Sequence, residues 1–126
     1  VAVPLDRSAD FDTVRAFAGR VADRLAERHP DTLTAEQRKN RRKGRLYLDI
    51  QRNAYGQTGV MPYSLRAKPG APVATPLAWD ELCAGDLTAR SYHIGNLFRR
   101  LGQIEDPWAD IKRRATGIAA AADALD

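Results

Sequence analysis

Apolar residues at Phe11, Val14, Phe17, Ala18, Val21, Ala22 and Leu25 recur every three or four positions, while Arg15, Arg20, Asp23 and Arg24 occupy the other faces. That period predicts an amphipathic helix, capped by Asp10 or Asp12 and closed at His29-Pro30. The pattern changes over residues 45–51. There Leu46, Leu48 and Ile50 alternate with Tyr47, Asp49 and Gln51, the two-residue period of a strand. Residues 1–5 read as a short buried strand and residues 60–65 as another extended run. The turn-rich stretch Asn53-Ala54-Tyr55-Gly56-Gln57-Thr58-Gly59 makes residues 45–65 a hairpin with a long loop.

Thr34 and Gln37 have capping-box spacing, which predicts a second, short helix carrying a basic run that closes at Gly44. Pro69-Gly70 and Pro72 form a rigid loop beside Arg66 and Lys68. Residues 76–82 read as a short helix capped by Thr75, with Trp79 packed into the core. Ser91 or His93 opens a further helix bearing Ile94, Leu97, Phe98 and Leu101, and Asp106-Pro107-Trp108 ends it. Residues 111–125 are alanine-rich and helix-prone with a thin apolar stripe, a segment that docks loosely, pairs with a partner or frays. There is no internal repeat and no linker. The expected architecture is α/β: a small, mostly antiparallel sheet with flanking helices, one sheet face or edge wanting a partner.

The chain has 126 residues, 44% of them hydrophobic, enough for one small domain with a modest core. Its 20 basic and 16 acidic residues give a net charge of +4, a weak bias toward an anionic partner. Distribution matters more. Arg38, Lys39, Arg41, Arg42, Lys43 and Arg45 fall within eight positions, and such crowding is relieved when phosphates neutralise it. The alternative is a solvated charged face. The single cysteine, Cys83, excludes an intramolecular disulfide and argues against a cysteine-based metal site. No apolar run is long enough to span a bilayer, and a cytoplasmic protein without a membrane partner is expected.

Several chemistries are unsupported by any motif. The chain has no G-x-G-x-x-G after a strand, no Walker-type G-K-[ST], no H-E-x-x-H and no zinc-ligand spacing. Asp49 is the conspicuous group, a carboxylate set in an otherwise apolar strand with arginines on either side. Arg52, Arg66 and Lys68 supply the cations that a triphosphate needs, a guanidinium fork being suited to phosphate oxygens. The alternative is an Asp49–Arg66 salt bridge with no further role. Two-metal phosphoryl chemistry requires several convergent carboxylates, and no D-x-D pair lies on a strand here.

At these residues the chain resembles the polymerase domain of the bacterial end-joining ligase LigD, in the archaeo-eukaryotic primase superfamily. The segments that carry the resemblance are VAVPL, DFDTVRAFA, KGRLYLDIQRN, GVMPYSLRAKPGAPVATPLAWDEL and DPWADI, which together reach to about Ile111. The resemblance implies a partial primase-polymerase fold over residues 1–111, followed by a tail at 112–126. It implies that Asp49 is the third of three carboxylates holding Mg2+ or Mn2+. By the same resemblance, Arg52 contacts the incoming nucleotide and Arg66 lies near its phosphates. Lys68 joins them by extension, and a DNA-backbone role for the basic run is an inference beside it.

The family's D-x-D motif, which lies well upstream of the matched segments, and the histidine-ending segment that precedes its first matched strand have no counterpart in this sequence. The expectation is therefore a C-terminal half of the domain, inactive alone and either truncated, completed by an N-terminal polypeptide, or degenerate. DNA ends and a nucleoside triphosphate are the implied partners, with a homo-oligomer as another way to cover exposed surface. A non-catalytic DNA- or nucleotide-binding module, or a structural remnant, are the alternatives to a nucleotidyltransferase component of double-strand-break repair.

Overall fold

The structure, a computed structural model, describes residues 1–83 and 85–125. Its regular elements are helices α1 (Phe11–Arg28), α2 (Leu97–Leu101) and α3 (Ala119–Asp123), with strands β1 (Leu33–Thr34) and β2 (Leu46–Tyr47). The chain divides into two units, one of residues Val1–Thr58 with Ala115–Asp126, the other Gly59–Arg114.

In the first unit the apolar period of α1 produces the expected helix. The Asp10 carboxylate accepts the Thr13 N–H at 2.8 Å and so satisfies one of the donors left open at a helix start. The His29 N–H donates to the Leu25 carbonyl at the other end, as the chain leaves helical geometry before Pro30. Ala22 is the buried residue of this helix. The C-terminal residues are tied to α1: the Arg20 guanidinium donates to the Ala122 carbonyl at 3.0 Å and Arg24 to the Leu125 carbonyl at 3.2 Å, while Ile118 is buried.

The sheet differs from expectation. It is a two-stranded parallel pair, Leu33 opposite Leu46 and Thr34 opposite Tyr47, rather than an antiparallel hairpin of residues 45–65. The strand expected over 45–51 shortens because the Asp49 carboxylate accepts the Gln51 N–H, starting the 3-10 turn Gln51–Asn53 that takes the chain out of the ladder. Residues 1–5 contribute one bridge, Leu5 to Thr116, and Val1 and Val3 are exposed, so the buried first strand does not form.

The helix expected after Thr34 is also absent. Thr34 is buried in β1 and its hydroxyl accepts the Glu36 N–H; only the 3-10 turn Lys39–Arg41 follows. Like charges one helical turn apart destabilise an α-helix. In addition, the Arg42 guanidinium takes the carbonyls of Glu36 and Gln37, two acceptors that a continued helix would use for its own backbone.

In the second unit, Leu65 bridges antiparallel to Val73 and Pro72 to His93. Backbone bonds from Tyr63 N to Ala74 O and from Arg66 N to Pro72 O, each 2.8 Å, close a hairpin around the expected Pro69-Gly70 turn. Gly70 sits at φ 86°, which only glycine adopts without strain. Pro72, Val73, Pro76 and Leu97 are buried here. The helix expected from Ser91 or His93 begins later, at Leu97, because the Asn96 side chain accepts His93 N–H and donates to Ser91 O, fixing a turn instead. The helix expected over 76–82 is a 3-10 turn, Asp80–Cys83, and the hydroxyl of its expected cap, Thr75, donates to Val73 O. Trp79, expected in the core, is 73% exposed. The buried contacts of its neighbours are polar ones, from Pro76 O and Ala78 N to Arg100 and Glu81. Among the described residues no helix is long and apolar enough to cross a membrane.

Candidate functional site

Asp49 lies immediately past β2 in the first unit, exposed, with one oxygen accepting the Gln51 N–H at 3.0 Å. The same turn presents Arg52, also exposed, whose guanidinium donates to the Gln57 side-chain oxygen at 3.4 Å. Tyr55 meets Phe11 of α1 edge-to-face at 5.5 Å between centroids, which anchors the loop that follows Arg52.

The six cations of the basic run separate into two kinds. Arg42 and Arg45 are half-buried and spend their guanidinium donors on backbone carbonyls. Arg42 also stacks on the Tyr47 ring at 4.1 Å. Arg38, Lys39, Arg41 and Lys43 are exposed.

Arg66 and Lys68 lie in the second unit, both exposed, on the hairpin strand and the turn that follows it. Arg66 lines a half-open cavity of about 200 Å³ with Val73, Thr75, Leu77, Thr88 and Tyr92. Among the described residues no group of three or more His, Cys, Asp or Glu side chains is placed to hold a metal ion.

A buried polar cluster in this unit is the feature sequence reasoning missed. Arg100 is 7% exposed and grips the Glu81 carboxylate with both guanidinium nitrogens, Nη2 to Oε2 at 2.8 Å and Nη1 to Oε1. Nη1 also donates to the Tyr92 hydroxyl at 2.7 Å, and Nη2 to the Pro76 carbonyl at 3.1 Å. The Arg100 hydrogen bonds, aided by the Ala78 N–H, hold Glu81 down at about 2. The available signal was Arg100 itself, a charged residue three positions after Leu97 on the apolar stripe of its helix. In the same unit, the Tyr63 hydroxyl donates to Asp106, shortly after α2; burial, then that bond, pushes the phenol up to about 12.

The chain's sequence matches the family described as LigD, primase-polymerase domain, over residues 1–108. It is 34% identical over 121 residues to the multifunctional non-homologous end joining protein LigD of Pseudomonas aeruginosa, covering 94% of this chain and 14% of that protein. It is 33% identical over 104 residues to the protein of the same name from Mycolicibacterium smegmatis, covering 82% of this chain and 13% of the relative. In structure it is similar to the polymerase domain from Mycobacterium tuberculosis ligase D solved in complex with DNA. The TM-score is 0.79 and the identity 29%, with 89% of this chain and 38% of that one covered. The chain therefore spans about one-seventh of the curated relatives it matches and little more than a third of the solved polymerase domain. With KGRLYLDIQRN and GVMPYSLRAKPGAP inside the matched span, the chain belongs to the LigD primase-polymerase domain family.

Proposed function

We propose that this segment supplies part of a DNA-directed nucleotidyltransferase that adds nucleotides at broken DNA ends in bacterial end joining. The observation that carries the reading is the fold likeness to a DNA-bound LigD polymerase domain, which takes in 89% of the chain. In this reading Asp49 is one carboxylate of the metal-binding set, Arg52 contacts the incoming nucleotide, and Arg66 and Lys68 serve its phosphates. The six basic residues at 38–45 face the DNA backbone.

The family resemblance implies paired Mg2+ or Mn2+ ions. One exposed carboxylate does not make a two-metal cage, so the described residues by themselves do not fit the pair. In this reading Asp49 is one arm of a cage that the family's D-x-D carboxylates would complete. Metal-dependent primer extension by this chain mixed with a polypeptide carrying D-x-D and the family histidine tests the assignment. Extension should require both components and disappear with Asp49→Asn. No extension with any such complement refutes it.

A second reading, a DNA-binding module without catalysis, is favoured by the absence of a metal-holding cluster among the described residues together with four exposed cations on one loop. Duplex binding without extension in the same mixture would decide for it.

A further inference from the structure

We infer that residues 36–45 form a duplex-DNA phosphate grip with a division of labour: Arg42 and Arg45 are positioning residues that shape the loop, and Arg38, Lys39, Arg41 and Lys43 meet the phosphates. This rests on the DNA reading above and refines it, because that reading treats the six cations alike.

The geometry separates them. The Arg42 fork closes on the carbonyls of Glu36 (3.1 Å) and Gln37 (2.7 Å) while its face covers Tyr47 of β2 at 4.1 Å. Arg45 donates to the carbonyls of Arg42 (3.0 Å) and Pro30 (3.3 Å). Both guanidiniums thus neutralise backbone dipoles and staple the loop to the strand pair. A planar fork suits this task; an ammonium point charge does not. Between them, Lys43 and Gly44 have φ of 50° and 82°, and Arg45 N–H returns to Arg42 O at 3.0 Å, forming a tight turn with Lys43 at its tip. At the loop's other end the Glu36 carboxylate accepts Arg38 N–H, and Thr34 Oγ1 accepts Glu36 N–H.

The remaining four cations are exposed, and none enters an ion pair among the described residues. Glu36 is the only acidic residue between Asp31 and Asp49, and Arg38 uses that carboxylate through its backbone rather than its guanidinium. The loop therefore holds like charges at close quarters with two arginines masked and four left for an external polyanion.

The test is a salt titration of the full 126-residue chain binding a short fluorescent DNA duplex. Each phosphate neutralised contributes about −0.9 to the slope of log affinity against log salt, so four contacts weaken binding about 150-fold when salt rises fourfold. Replacing all four exposed cations by Gln should make the slope shallower by about 3 to 4. Arg41→Lys, conserving a free charge, should leave affinity within about twofold, whereas Arg42→Lys, also conserving charge, should weaken binding about tenfold with α1 ellipticity retained. An unchanged slope in the four-Gln variant, or equal effects of Arg41→Lys and Arg42→Lys, overturns the division of labour even where complemented primer extension succeeds. Loss of complemented extension with the salt slopes as predicted overturns the catalytic reading and supports the grip. Failure of the unaltered chain to bind duplex at low salt overturns the grip and leaves the catalytic reading to the complemented extension assay.

Discussion

Replacing Glu81 by Gln gives the sharpest test of what holds the second unit together. Gln keeps the shape and one acceptor oxygen, but removes the charge that Arg100 grips in a two-point contact and that also accepts Ala78 N–H at 2.7 Å. Glu81 ionises at about 2 in the folded chain against an ordinary value of 4.5. At about 1.4 kcal/mol per pH unit this interval corresponds to about 3 kcal/mol, and the 23% exposure of the Glu81 side chain reduces it by screening to about 2. The folded state binds the proton less readily than the unfolded chain. The contribution is therefore complete above about pH 4.5 and lost as pH falls through about 2. Both tryptophans, Trp79 and Trp108, belong to this unit, so urea unfolding followed by tryptophan fluorescence reports on it directly. At pH 7 the variant should be less stable by about 2 kcal/mol, and the deficit should close as both proteins approach pH 2. Asp106, also held low by the Tyr63 hydroxyl, weakens both proteins alike and cancels in the difference. A deficit of the same size at pH 7 and pH 2, or none at pH 7, refutes the ion-pair account.

Other substitutions separate architecture from chemistry. Asp49→Asn retains an acceptor for Gln51 N–H, so thermal unfolding should move by less than about 0.5 kcal/mol while complemented primer extension is lost. Asp10→Ala removes the α1 cap and should lower the melting temperature, read by circular dichroism. Tyr63→Phe should delete a phenol that ionises near pH 12 in a spectrophotometric titration; because that pKa is raised in the folded state, the associated stability is present below pH 10 and lost as pH climbs through about 12.

The sequence reveals most where interactions are local. The α1 boundaries follow from Asp10 and from His29-Pro30, because a cap and a proline act within one turn of the backbone they control. The Pro69-Gly70 turn was legible for the same reason, through glycine's tolerance of φ 86°. Asp49 stood out as a carboxylate among alternating apolar residues, and the family resemblance carried by its flanking segment is established over residues 1–108. Strand partnership was not legible. The alternation at Leu46, Leu48 and Ile50 fits pairing with either neighbour, and the Arg42 and Arg45 contacts to backbone carbonyls that accompany the Leu33 pairing are not encoded in charge patterning. Trp79 misled because hydrophobicity alone suggested burial where polar contacts to Arg100 and Glu81 organise the segment. The different fates of Arg41 and Arg42, adjacent and chemically identical, are set by the tertiary fold and not by the local sequence.

The bridge from Leu5 to Thr116, with backbone bonds on both sides of Thr116, joins stretches that leave the ribosome more than a hundred residues apart. During synthesis the hairpin and the Glu81–Arg100 pair have all their participants available before that bridge can close. A nascent chain stalled ahead of Ala115 would thus hold one unit ready to consolidate and the other still waiting for its last strip of backbone. Protease resistance should be acquired in that order as translation proceeds.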